Sequence, residues 1–98
     1  MTITKTAEGS TLTLALEGRL DTGTAPELAE VLDEALPGVT ELLFDFEKLD
    51  YLSSAGLRVL LAAKKAMNKQ GTMVIRHVND SIMDVFDITG FTDILTIE

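Results

Sequence analysis

From Thr24 onward the chain switches between helical and strand-like hydrophobic period, and this alternation restricts the fold more than any single residue. Leu28, Val31, Leu32 and Leu36 return at helical spacing. Thr24 stands before them as an N-cap with Glu27 three residues on, Pro26 suits the first turn, and Pro37-Gly38 ends the run. VTELLFDFEKL follows, almost continuously apolar from Leu42 to Phe46, the pattern of a strand buried on both faces. A second helix is predicted from about Ser54 to Gln70, with Leu57, Leu60, Leu61 and the alanines inward, Lys64, Lys65 and Lys69 outward, and Gly71 as its stop. TMVIRHV is again a strand. NDSIMDVFDITG has Ile82, Val85 and Phe86 on one helical stripe, a cap near Asn79 to Ser81 and Gly90 at its end, and DILTI closes as a last strand.

Upstream, TITK and STLTLALEG alternate about a Glu8-Gly9-Ser10 turn, with Leu12, Leu14 and Leu16 on one side and Thr11, Thr13 and Ala15 on the other, which predicts a hairpin. The order is therefore ββαβαβαβ. Strands separated by helices must lie parallel through right-handed crossovers, so the expected fold is α/β with a mixed, mostly parallel sheet. No internal repeat, linker or low-complexity segment interrupts it, and 98 residues suit one domain spanning 1–98.

Composition removes whole classes of function. There is no cysteine, hence no disulfide and no thiolate metal site. No apolar run approaches the roughly 20 residues that span a bilayer, and MTITKTAEG lacks the regions of a secretory signal, so a cytoplasmic location without direct membrane insertion is expected. Net charge is −8 and falls wholly in residues 1–50, with 11 acids against 3 bases, while residues 51–98 balance. Nucleic acid would be repelled by such a chain, whereas a protein partner with a basic face would not.

Chemistry is sought outside the carboxyl ends of the parallel strands, where Asp21, Asp45, Asp50, Ser53 and Ser54 are expected to gather. A serine nucleophile needs a base held by a third group, and the only histidine, His77, has none arranged for it; Ser53 and Ser54 also lack the flanking glycines of a nucleophile elbow. No catalytic residue is expected and the chain is not expected to be an enzyme. Asp21, Asp45 and Asp50 offer hard oxygen ligands, as in phospho-acceptor receiver domains, but the lysine such a site wants after the last parallel strand is missing. Turn and capping roles fit these aspartates better. His77 has no second ligand at metal spacing, so neither metal nor cofactor is expected.

The adjacent Ser53 and Ser54 open the second helix. One serine suffices as an N-cap. The other falls in the first turn, at the positive end of the helix dipole, where a phosphate would be stabilised rather than expelled. From the residues alone, capping and phosphorylation both stay open.

The segments LEGRLDTGTAPEL, DFEKLDYLSSAGLRVLLAAKKAMNKQG and IMDVFDITGFTDILTI, in this order and together covering most of Thr11 to Ile97, resemble a STAS domain of the anti-sigma factor antagonist family. The resemblance implies a cytoplasmic bacterial regulator of transcription that works by partner switching. The unphosphorylated antagonist binds an anti-sigma factor that is also a serine kinase, phosphorylation with ATP ends the binding, and a phosphoserine phosphatase resets it. The family's acceptor lies two residues before a Gly-Leu pair. Aligned on Gly56 and Leu57 it is Ser54, with Ser53, the alternative acceptor, where the family has aspartate and Ala55 where it has Ser or Thr. Asp21 matches the family's loop aspartate, and Asp21, Ser53, Ser54, Gly56 and Leu57 are the implied partner-binding residues. STAS domains also serve as modules of transporters, lipid-trafficking and stress-sensing complexes that need no phosphoserine cycle, and this remains the alternative.

Overall fold

The computed structural model describes residues 1–98. Strands β1 (Thr2–Glu8) and β2 (Thr11–Leu20) form the antiparallel hairpin, followed by α1 (Ala25–Ala35), β3 (Glu41–Leu52), α2 (Ser54–Met67), β4 (Thr72–Arg76), α3 (Asp80–Thr89), a 3-10 turn at Phe91–Asp93 and β5 (Thr96–Ile97). The strands lie in sequence order, β1-β2-β3-β4-β5, with every pairing after the hairpin parallel. The predicted order and fold class are those observed, except that α2 ends three residues earlier than expected.

Sequential order has a geometric consequence. Right-handed crossovers that always step in one direction carry every helix to the same side of the sheet. Burial follows it: Leu12, Leu14 and Leu16 of β2, Leu42, Phe44 and Phe46 of β3 and Met73 and Ile75 of β4 are all within 2 % of full burial. Their register neighbours on the other face, Thr13, Leu43 and Val74, are only half-buried. The expectation that β3 is buried on both faces is thus corrected. Its apolar run is continuous because Leu43 joins a β-branched and apolar row on the uncovered face, Thr6-Thr13-Leu43-Val74-Thr96.

The covered face receives Leu28 and Leu32 from α1, Leu57, Leu60, Ala63 and Met67 from α2, and Ile82 and Phe86 from α3. Met67 and Met73 fill the core, and Met83 packs against its edge. Gly71 lies hard against the Thr40 carbonyl, which a Cβ would overlap, and beside it the Gln70 amide donates to the carbonyls of Leu36 at 2.7 Å and Val39 at 2.6 Å. The end of α2 is in this way tied to the loop that leads into β3.

β3 is longer than its apolar run because it contains two bulges. Its inward residues step by two as far as Phe46 and then by three, to Leu49 and Leu52, with Glu47, Lys48, Asp50 and Tyr51 all exposed. The register with β2 slips at the same places, between Ala15/Glu17 and Gly18/Arg19. Each slip inserts one extra residue into β3 while keeping its inward phase.

One-sided burial is testable with neighbouring residues. Phe44→Ala is expected to cost about 3–5 kcal/mol of unfolding free energy and Leu43→Ala about 1 kcal/mol, measured by urea denaturation. Equal losses would mean that both faces of β3 are covered.

Candidate functional site

The carboxyl ends of β2 and β3 are joined by a hydrogen bond from the Ser53 N–H to the Leu20 carbonyl, 2.9 Å. This brings the Asp21 loop and the two serines to one end of the sheet. Ser53 has extended backbone and caps α2: its hydroxyl accepts from the Gly56 N–H at 3.3 Å and its carbonyl accepts from the Leu57 N–H at 3.0 Å. Ser54 is the first helical residue, exposed, and its hydroxyl makes no hydrogen bond within the protein. The two hydroxyls are therefore in different situations, one engaged and one open.

Gly56 is buried where α2 begins, and a Cβ there would stand 2.7 Å from both Leu20 Cγ and Leu52 Cδ1. Only glycine lets the helix start this close to the strand ends. Leu57 follows it into the core at 6 % exposure. Of the expected partner-binding residues, Asp21, Ser53 and Ser54 reach the surface, while Gly56 and Leu57 lie beneath it.

Asp21 organises the loop before α1. Its Oδ1 accepts from the N–H groups of Gly23 and Thr24, both at 3.0 Å, and stands 3.1 Å from the Thr24 hydroxyl oxygen, while its carbonyl accepts from the Ala25 N–H at 2.8 Å. Thr24, expected to cap α1 with its side chain, makes no such bond. Its hydroxyl instead donates to the Arg19 carbonyl at 2.7 Å and accepts from the Asp21 N–H at 2.8 Å. The Thr24 N–H, with help from the Thr24 hydroxyl, the Gly23 N–H and the charge of Arg19, holds the Asp21 carboxyl below its ordinary pKa.

Two residues that sequence reasoning missed complete this end. Arg19 and Tyr51 are register partners across β2 and β3, and the guanidinium lies 4.0 Å from the centre of the phenol ring. Arg19 Nε also stands 3.8 Å from Asp21 Oδ2. Only the parallel register, shifted by the second bulge, makes these residues neighbours.

Asp45 does not join the group, contrary to expectation, since β3 runs on well past it to Leu52. Its Oδ1 lies 2.8 Å from His77 Nδ1 and accepts from the Glu47 N–H at 3.0 Å. The His77 contact first, then the Glu47 N–H, holds the Asp45 carboxyl below its ordinary value. His77 was expected to have no second ligand near it, yet Asp45 and Glu47 both approach it. Asp50 stays exposed on the second bulge.

Residues 3–96 match the family model described as "Mlab, STAS domain". BtrV of Bordetella bronchiseptica is 36% identical over 88% of this chain and 76% of its own length. The anti-sigma-B factor antagonist of Staphylococcus aureus is 35% identical over 80% of this chain and 74% of its own. The Bacillus anti-sigma factor antagonist SpoIIAA shares the fold in its unphosphorylated and phosphorylated forms, each with a TM-score of 0.78 over 99% of this chain and 87% or 91% of that chain, at 17% and 18% identity. This chain belongs to the STAS domain proteins of the anti-sigma factor antagonist family.

The unequal engagement of the serines predicts unequal costs. Ser53→Ala loses a cap and is expected to lower stability by about 1 kcal/mol, while Ser54→Ala stays within about 0.5 kcal/mol of the parent, both read from urea midpoints. Because the folded-state pKa of Asp21 is depressed, its contribution to stability is present above the unfolded carboxyl value and is lost as pH falls through the folded one. Asp21→Ala is therefore expected to lower the urea midpoint more at pH 7 than at pH 2.

Proposed function

We propose that this chain is an anti-sigma factor antagonist that binds an anti-sigma factor with serine-kinase activity, and that phosphorylation of Ser54 ends the binding. The observation that carries the reading is the division between the two hydroxyls. Ser53 is occupied in capping α2, whereas Ser54 is exposed one residue further on with its oxygen unengaged. A kinase would reach Ser54 without undoing the helix start. Family membership and the antagonist names of its relatives supply the class of partner.

The switch then works by charge alone. A phosphoserine carries about −1.5 to −2 charges, which the first turn of a helix tolerates and even favours. A partner docked over the same hydroxyl would instead have to desolvate that charge. Each 1.4 kcal/mol of this penalty weakens binding about tenfold. The Asp21 loop, with Arg19 stacked on Tyr51 beside it, forms the neighbouring part of the proposed docking surface, and Gly56 and Leu57 support it from below. A phosphoserine phosphatase would restore the binding form.

Incubation with ATP and an anti-sigma factor kinase that binds this chain, read by intact mass and peptide fragmentation, tests the reading. One phosphate, lost in Ser54→Ala and kept in Ser53→Ala, is the expected result, and Ser54→Asp is expected to bind the kinase at least about tenfold more weakly than the parent. No phosphate on any form, with the kinase active on another antagonist, would overturn the switch and leave a STAS module that acts by binding alone.

A further inference from the structure

His77 is the one non-glycine residue with a left-handed backbone, φ 61°. Strand alternation would send its side chain to the helix-covered face, as for Ile75 two residues before. The left-handed turn just after β4 instead presents the ring to Asp45, on the uncovered face. Arg76, which register pairs with Asp45, turns away to Glu98 at 3.2 Å. The first bulge of β3 adds a third group: Glu47 is exposed beside Asp45, and its carboxylate has neither hydrogen bond nor ion pair. One ligand atom from each of Asp45, Glu47 and His77 then lies within 4.8 Å of the others.

We propose that Asp45, Glu47 and His77 form a binding site for a divalent transition ion of the Zn2+ class. The set differs from a plain group of surface acids in its imidazole nitrogen, which first-row transition ions favour and Mg2+ and Ca2+ do not. Donors about 2.0–2.2 Å from a common Zn2+ stand roughly 3.0–3.5 Å apart. The Asp45–His77 pair stands at 2.8 Å, joined by a hydrogen bond along the Nδ1 axis, so an ion on Nδ1 takes the place of that bond. The Asp45 oxygen then moves out to the wider spacing and the exposed Glu47 carboxylate swings inward. An ion on Nδ1 needs that nitrogen's lone pair, which places the ring proton on Nε2 in the bound form. Three protein ligands leave a coordination position for water. Asp45 and Glu47 also line a depression of about 220 Å³ with Thr4, Ala15, Glu17 and Lys48, which gives such a water room. Lys48 and Arg76 are the nearby cations, and Arg76 is already paired with Glu98. The site lies on the uncovered face, away from the serine end, and stands independently of the proposed partner switch.

The test is calorimetric titration of the untagged chain with ZnCl2 and, separately, MgCl2, alongside long-range 15N NMR of the imidazole, whose assignment needs no mapping because the chain has a single histidine. Expected are one Zn2+ per chain, a shift of the His77 Nδ1 resonance with the ring proton on Nε2 in the bound form, a higher Tm with the ion present, and Zn2+ bound more tightly than Mg2+. Glu47→Gln and His77→Asn are each expected to weaken Zn2+ binding by roughly tenfold or more. Asparagine tolerates the left-handed backbone, so His77→Asn removes the ligand while keeping the turn, and a melt by circular dichroism checks that it folds. Absence of Zn2+ binding at millimolar ion, Mg2+ bound as well as Zn2+, or unchanged Zn2+ affinity in His77→Asn would each overturn the site.

Discussion

A right-twisted strand that feeds a helix and returns to a parallel neighbour crosses over with one hand. In this chain each crossover also steps in the same direction along the sheet, so the helices have no choice of side. The consequences spread from there. One sheet face becomes the core, and the other is left to threonines and to the half-buried Leu43 and Val74. There is also no place where strand order reverses, so no crevice opens between diverging helices as it does in doubly wound sheets. What projects at the carboxyl ends is a row of helix starts and loops, a shape suited to meeting another protein's surface.

The bulges of β3 decide what stands in that row. They carry the strand beyond its apolar run while Leu49 and Leu52 stay in the core, and so deliver Ser53 to the Leu20 carbonyl. They also account for the side chains that stand outward in adjacent pairs, Glu47 with Lys48 and Asp50 with Tyr51. Tyr51 meets Arg19 because of the second bulge, and Glu47 stands by Asp45 because of the first. Gly56 completes the arrangement by letting the helix begin against Leu20 and Leu52.

Element order was legible in the sequence because each element has a clean local period and each helix a recognisable stop. The Ser53 cap was legible for the same reason, since an N-cap is a local bond. What escaped the sequence depends on register. FEKLDYL places inward residues three apart, a spacing that matches no regular strand, so the extension of β3 and its two outward pairs could not be read. The apolar run at Leu42 to Phe46 concealed one-sided burial, because Leu43 is apolar wherever it points. Asp21 has the turn role expected of it near the helix start, whereas the side-chain cap expected of Thr24 is missing because its hydroxyl is engaged by the Arg19 carbonyl and the Asp21 N–H, partners that local pattern does not reveal. The meeting of Asp45 with His77 required cross-strand register together with a left-handed histidine, neither of which leaves a periodic trace.

In a regular strand, losing one residue turns every later side chain to the opposite face. β3 is different at its two slips. Removing Lys48 or Tyr51 would restore simple alternation there and leave Leu49, Leu52 and the start of α2 in phase. The strand that delivers the serines thus contains two places where descendants of this chain can differ in length without inverting its end.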